Sequence, residues 1–122
     1  MARWLNFTDD ELRCSCCGRL NPNPEFITLM DLVQKLRERL NVSLSVSSAY
    51  RCENHPVERK KKRAGMHNLA AIDLKVSYGK AWRVLEAAID MGFTGIGINQ
   101  KGDPKQRFIH LDLREVPRVW SY

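Results

Sequence analysis

His67 and Asp73 are separated by five residues, and a second imidazole, His110, comes much later with Asp112 two positions beyond it. Two imidazoles and a carboxylate are a three-ligand set of the kind that holds a catalytic zinc ion and leaves its fourth position to water. A second group of potential ligands lies near the start of the chain. Cys14, Cys16 and Cys17 cluster in Arg13-Cys14-Ser15-Cys16-Cys17-Gly18, and Cys52 directly follows Arg51. Cys14-x-x-Cys17 with Cys52-x-x-His55 supplies three thiolates and an imidazole, the composition of a closed structural zinc site. The alternatives are free buried thiols, as a reducing cytosol keeps them, or one disulfide from Cys16 or Cys17 to Cys52 after export. In every version Cys52 would tie the N-terminal segment to the loop that carries Arg51. The phosphate-binding G-x-x-x-x-G-K, a G-x-G-x-x-G after a strand, H-E-x-x-H and G-x-S-x-G are all missing, which removes several large enzyme classes.

The elements that must position these residues follow from hydrophobic period. Ile72, Leu74 and Val76 alternate, sending Ala71, Asp73 and Lys75 to the other face of a strand. Ile109, Leu111 and Leu113 alternate with Phe108, His110 and Asp112, so His110 and Asp112 share one strand face. Upstream, Phe26, Leu29, Met30, Val33, Leu36 and Leu40 recur at helical spacing, with Asn23 placed to cap, Pro24 in the first turn and an end near Asn41. Val42, Leu44 and Val46 then predict a strand, followed by a loop from Ser48 to about Leu69. A second helix is expected from about Lys80 to Met91, with Trp82, Leu85, Ala88 and Ile89 inward and Gly92 as its left-handed terminator. Ile96 and Ile98 make a short strand, and Lys101-Gly102-Asp103-Pro104 is a turn before the last one. This order reads as an α+β fold with a small, largely antiparallel sheet and helices on one face. The other face, bearing Asp73 and His110, is expected to be open to solvent and to the long loop.

Composition sets the frame. The 122 residues are 43% hydrophobic, with no repeat or linker, so a single domain spanning 1–122 is expected and a disordered or collagen-like chain is excluded. No apolar stretch reaches the roughly 20 residues of a membrane helix, and Met1-Ala2-Arg3-Trp4-Leu5-Asn6-Phe7 has no apolar signal region. The expectation is a product made in the cytoplasm without a signal peptide and without membrane insertion. Twenty Lys and Arg against 14 Asp and Glu give a formal charge of +6, which favours an anionic partner: nucleic acid, a membrane surface or an acidic wall polymer. Much of the excess sits in Arg59-Lys60-Lys61-Lys62-Arg63, a solvated loop or a direct binding element, with no aromatic residue interleaved.

Four separated blocks carry a resemblance: Ser47-Ser48-Ala49-Tyr50-Arg51; Gly65-Met66-His67 through Ala71-Ile72-Asp73-Leu74; Gly92-Phe93-Thr94-Gly95-Ile96-Gly97-Ile98; and Phe108-Ile109-His110-Leu111-Asp112. In this order they resemble the zinc D-alanyl-D-alanine carboxypeptidase family, whose small phage and bacterial members cleave peptidoglycan stem peptides on the fold shared with the hedgehog signalling domain. The resemblance runs from Asn6-Phe7-Thr8 to Trp120-Ser121-Tyr122. It implies that His67, Asp73 and His110 bind Zn2+, and that Arg51 holds a substrate carboxylate or polarises the scissile carbonyl. Both implied roles are physically sensible, since zinc brings the pKa of its water to about 7 and a forked guanidinium suits a carboxylate.

Four departures from the family pattern stand out, one of them Asn68 in place of a Gly after the first His. Gly65 replaces a Ser two residues before the first His, the interval from His67 to Asp73 is one residue shorter, and Arg107 stands where some phage members have a Glu three residues before the last His. Asp112 is the nearest substitute for that Glu as a proton-transfer group; alternatively, it accepts a hydrogen bond from a ligand histidine and orients it. The expected function is zinc-dependent hydrolysis of amide bonds in stem peptides, as a carboxypeptidase or an endolysin-type endopeptidase. The chain is expected to be a monomer acting on the cell wall after release or carried in a phage virion, with nucleic acid not its expected partner. The alternative is a non-catalytic module on the same fold that binds wall polymer or nucleic acid.

Overall fold

Alternating apolar residues place three strands side by side in the centre of the molecule, and the two long helices close over one side of them. The computed structural model describes residues 3–59 and 65–122. In chain order the elements are α1 (Asp9–Leu12), α2 (Pro24–Leu40), β1 (Ser45–Ser48), α3 (Pro56–Arg59), α4 (Met66–Leu69), β2 (Ala71–Lys75), α5 (Tyr78–Met91), β3 (Gly95–Asn99), a 3-10 turn (Pro104–Gln106), β4 (Phe108–Asp112) and β5 (Arg118–Ser121). They build an α+β fold around a five-stranded sheet of order β1-β2-β4-β3-β5, antiparallel except where β5 runs parallel to β3. The basic run from Arg59 to Arg63 falls outside the residues whose side chains are described.

The apolar face of the sheet, Ile72 and Leu74 of β2, Ile96 of β3, Ile109 and Leu111 of β4, joins one continuous core with α2 and α5. The α2 stripe is the expected one. Phe26, Leu29, Met30, Val33, Leu36 and Leu40 are all buried, and Asn41 ends the helix in the left-handed conformation, φ 51°. Each such Leu or Ile contributes roughly 1.5–3 kcal/mol by leaving water.

Helix α5 is rotated from the expectation. Ala81, Val84, Ala87 and Ala88 face inward, whereas Trp82 and Ile89 are more than 60% exposed. Two stripes at helical spacing compete on this segment, and the smaller one wins because α5 packs closely against α2 and β4, leaving no room for an indole. Arg83 donates to the Leu40 carbonyl at the end of α2 at 2.9 Å, which fixes the rotation. Gly92 terminates α5 at φ 92°, as its place in the sequence predicts.

Asn23 does not cap α2 with its side chain. Its amide instead donates to the carbonyls of Asn68 and Leu69, both at 3.1 Å, and Asn21 donates to Leu69 at 2.8 Å. The orphan carbonyls closing the short helix α4 recruit these amides, which anchor the turn that carries His67. The long loop therefore holds two helical turns rather than none. The polar face of the sheet is likewise covered rather than open: α4, Arg114 and Trp120 lie over it, leaving Asp73 and His110 each 4% exposed and Asp112 fully buried.

Candidate metal centre

Strand register does most of the positioning. Asp73 pairs with His110 across β2 and β4, His110 pairs with Gly97 of β3, and Gly97 pairs with Trp120 of β5, so these four residues form one row on the covered face. In the next row Ala71, Asp112, Gly95 and Arg118 are aligned in the same way. His67 reaches the first row from α4. Its Nε2 lies 3.1 Å from Asp73 Oδ1 and 3.2 Å from His110 Nδ1, and His110 Nδ1 lies 3.0 Å from Asp73 Oδ1. The interval of five residues between His67 and Asp73 is thus long enough to bring both to one point.

Proton accounting shows what this triangle needs. His67 Nδ1 faces the Ala49 carbonyl at 2.7 Å, which can only accept, so Nδ1 carries the proton and Nε2 presents a lone pair. His110 Nε2 faces the Asp112 carboxylate at 2.7 Å, so its proton sits there and Nδ1 presents a lone pair. With Asp73 Oδ1, three acceptors converge in a buried place, and only a cation between them or an added proton on a ring removes the repulsion. Ligands at 2.0–2.1 Å around a tetrahedral zinc stand about 3.3–3.5 Å apart, a few tenths of an ångström wider than the triangle here. The donor set fits zinc in identity, number and spacing.

The electrostatics agree. Burial would raise the Asp73 pKa, but hydrogen bonds from His110 and His67 outweigh it and hold the carboxyl well below the usual carboxylate range. Burial would lower the His110 pKa, and its bonds to Asp112 and Asp73 reverse that and raise it. In the metal-free protein a proton is the cation that this arrangement attracts.

Asp112 lies on the far side of the His110 ring from the triangle. Arg114 donates to it three times, from Nε at 2.9 Å, from Nη2 at 2.6 Å and from its backbone N–H at 3.1 Å, and His110 makes the fourth bond. Burial pushes the Asp112 carboxyl up, yet Arg114 and His110 together hold it well below the ordinary value. Room for this carboxylate comes from Gly95, where any Cβ would overlap it, and room for the Trp120 ring comes from Gly97, where a Cβ would stand 2.6 Å from the indole. Trp120 in turn lies 5.0 Å from the His110 ring, centroid to centroid. Replacing Asp112 by Asn, which removes the charge that Arg114 and His110 share, is expected to weaken zinc binding by about 10- to 100-fold. Competition against a chelating dye measures it; unchanged affinity would show that Asp112 does not act on His110.

Arg51 stands at the mouth, with Nη2 3.7 Å from Asp73 Oδ2. Its backbone is tied to the metal centre: its N–H donates to the His67 carbonyl at 2.9 Å, and Asn68 donates to its carbonyl at 3.0 Å. Arg51, His67, Asp73 and His110 line a cavity of about 470 Å³ walled by Met66, Phe108, Trp120 and Tyr122. A cleft of equal volume beside Lys75, Lys80 and Lys105 offers ammonium and hydroxyl groups but no imidazole, thiol or carboxylate. Sequence reasoning missed Arg114, Trp120 and Tyr122. The visible trace was the pair Gly95-x-Gly97, two side-chain-free positions on one strand face.

Among the cysteines, the ligand atoms of Cys14, Cys17 and Cys52 lie within 4.8 Å of one another. His55 does not join them: its Nε2 meets Ser15 Oγ at 3.0 Å and its Nδ1 accepts from the Val57 N–H at 3.2 Å. No disulfide is formed among the four.

The Peptidase M15 family model matches residues 5–112, from the N-terminal segment to the end of β4. The chain belongs to the Peptidase M15 family. M15 peptidases are zinc-dependent, and the buried His-Asp-His triangle is a group in this chain that could hold the ion. Membership and geometry together support a metallopeptidase. No curated protein and no solved structure matches the chain. Among the described residues of this M15 domain, no helix is long and apolar enough to cross a membrane.

Proposed function

We propose that the chain hydrolyses amide bonds in peptidoglycan stem peptides, as a carboxypeptidase or an endopeptidase, with zinc held by His67, Asp73 and His110. The observation that carries this reading is the convergence of three lone pairs, each fixed by a hydrogen bond on the far side of its ring or by strand pairing, at the floor of a cavity. Bound there, zinc supplies Lewis acidity toward a carbonyl oxygen and a nucleophile from water near neutral pH.

The residues around the ion divide the remaining work. Arg51, 18% exposed in its side chain, points its forked donors into the cavity and binds a carboxylate of the stem peptide, which orients the scissile amide within the cavity. Phe108, Trp120 and Met66 present apolar walls to the small methyl side chains of alanine units and thin the water around the reacting amide. Asp112 is a positioning residue, because its four hydrogen bonds leave it no free acceptor for a substrate proton. Tyr122 lines the same cavity, and burial raises its phenol pKa, so it keeps its proton and serves as a hydrogen-bond donor to substrate.

The test uses intact peptidoglycan and a synthetic stem peptide, with products read by mass spectrometry. Zinc-loaded protein is expected to release D-alanine or shorter stem fragments, chelation to stop the release, and added zinc to restore it. The mass of the fragments names the bond. Binding to the wall without cleavage, or cleavage indifferent to chelation, would overturn the proposal, and the first of these would favour the non-catalytic binding module.

A further inference from the structure

We propose that Cys14, Cys16, Cys17 and Cys52 bind a second, structural zinc ion that braces the loop presenting Arg51. Four thiolates at about 2.3 Å around a tetrahedral zinc stand about 3.8 Å apart. The sulfurs of Cys14, Cys17 and Cys52 already lie within 4.8 Å of one another, so small rotations close the set. Cys16 Sγ faces the same loop, donating to the Asn54 carbonyl at 3.6 Å two residues beyond Cys52, which places a fourth thiol beside the three. His55, the other candidate for that place, has both ring nitrogens engaged by Ser15 and Val57.

The surroundings are those of thiolate sulfur. The Cys52 backbone N–H donates to Cys14 Sγ at 3.3 Å. A neutral thiol is a weak acceptor, whereas a backbone donor aimed at the sulfur across 38 residues of chain suits a negative sulfur bound to a metal. Zinc binding at these four residues releases the thiol protons to solvent.

The location explains the need. Cys14 and Cys52 pack with Tyr50 in a small cluster separate from the main core, and neither residues 13–23 nor residues 49–55 contain a helix or strand. Burial of three side chains fixes such a junction poorly, and a metal cross-link does what a larger core would. Arg51 is the neighbour of Cys52, and its N–H donates to the His67 carbonyl, so a brace at the thiols reaches the metal centre through two bonded residues.

The full chain, purified under reductant and loaded with cobalt in place of zinc, gives the test. Sulfur-to-cobalt charge transfer in the near ultraviolet arises only from thiolates, so the His-Asp-His centre is silent and the outcome is independent of the function proposed above. The expected result is a strong band that Cys52→Ser abolishes, Cys16→Ser diminishes and His55→Ala leaves unchanged. On the unaltered protein, which removes any question of misfolded variants, zinc is expected to slow alkylation of all four thiols at least about tenfold, and chelation to reverse this. No band in the wild type, or a chain two hydrogens lighter with thiols blocked as a disulfide, would overturn the proposal. So would a band lost in His55→Ala and intact in Cys16→Ser.

Discussion

Replacing His110 by alanine is expected to lower peptide hydrolysis by about a thousandfold or more, since it removes one of the three proposed ligands of an ion that would supply several kcal/mol of transition-state stabilisation. The loss should appear as one zinc fewer per chain in native mass spectrometry. His110 also lies beneath Trp120 and between the carboxylates of Asp73 and Asp112, so its removal leaves two buried charges short of a partner and lowers the melting temperature. His67→Ala separates the two effects. His67 sits on α4 rather than in the sheet, and it should give the same loss of zinc and activity with a smaller change in stability. Activity within tenfold of wild type in both variants would remove these residues from the catalytic set.

The second large effect is expected at Arg51. Arg51→Ala should reduce kcat/KM about 100-fold or more while leaving zinc content unchanged, because the two charge-assisted hydrogen bonds proposed for it with a substrate carboxylate, at roughly 1.5–3 kcal/mol each, would be lost and no proposed ligand would be. Arg51→Lys should recover only part of it, since an ammonium is a single point charge and cannot grip both oxygens of a carboxylate. A substrate with its carboxylate amidated should be cut poorly by the wild type and be indifferent to the substitution. Equal kcat/KM for Arg51→Ala and wild type on the free-acid substrate would place the substrate carboxylate elsewhere.

Much of this centre was legible because strands encode faces by parity. Asp73 sits between Ile72 and Leu74, and His110 between Ile109 and Leu111, so the apolar row that builds the core also dictates that both polar side chains point the other way. What covers them was not legible. Trp120 comes from β5, whose four residues alternate weakly and pair in parallel with β3 only after an irregular stretch, so no local period announces it. The turns α1 and α4 are too short for a hydrophobic period, and α1 is held by the reciprocal bonds of Thr8 and Glu11. Asn23 reads as a capping residue because its type suits a helix start, and only the tertiary placement of α4 shows that its carbonyls claim Asn23 and Asn21 together. On α5 two stripes satisfy the same period, and packing distance rather than hydrophobicity selects the alanines.

The most direct test of the account is diffraction from crystals of the zinc-loaded chain collected on both sides of the zinc absorption edge. An anomalous peak is expected, enclosed by His67 Nε2, Asp73 Oδ1 and His110 Nδ1 and open toward Arg51 and the cavity. An anomalous map with no peak in that triangle, whatever it shows at the cysteines, would contradict it.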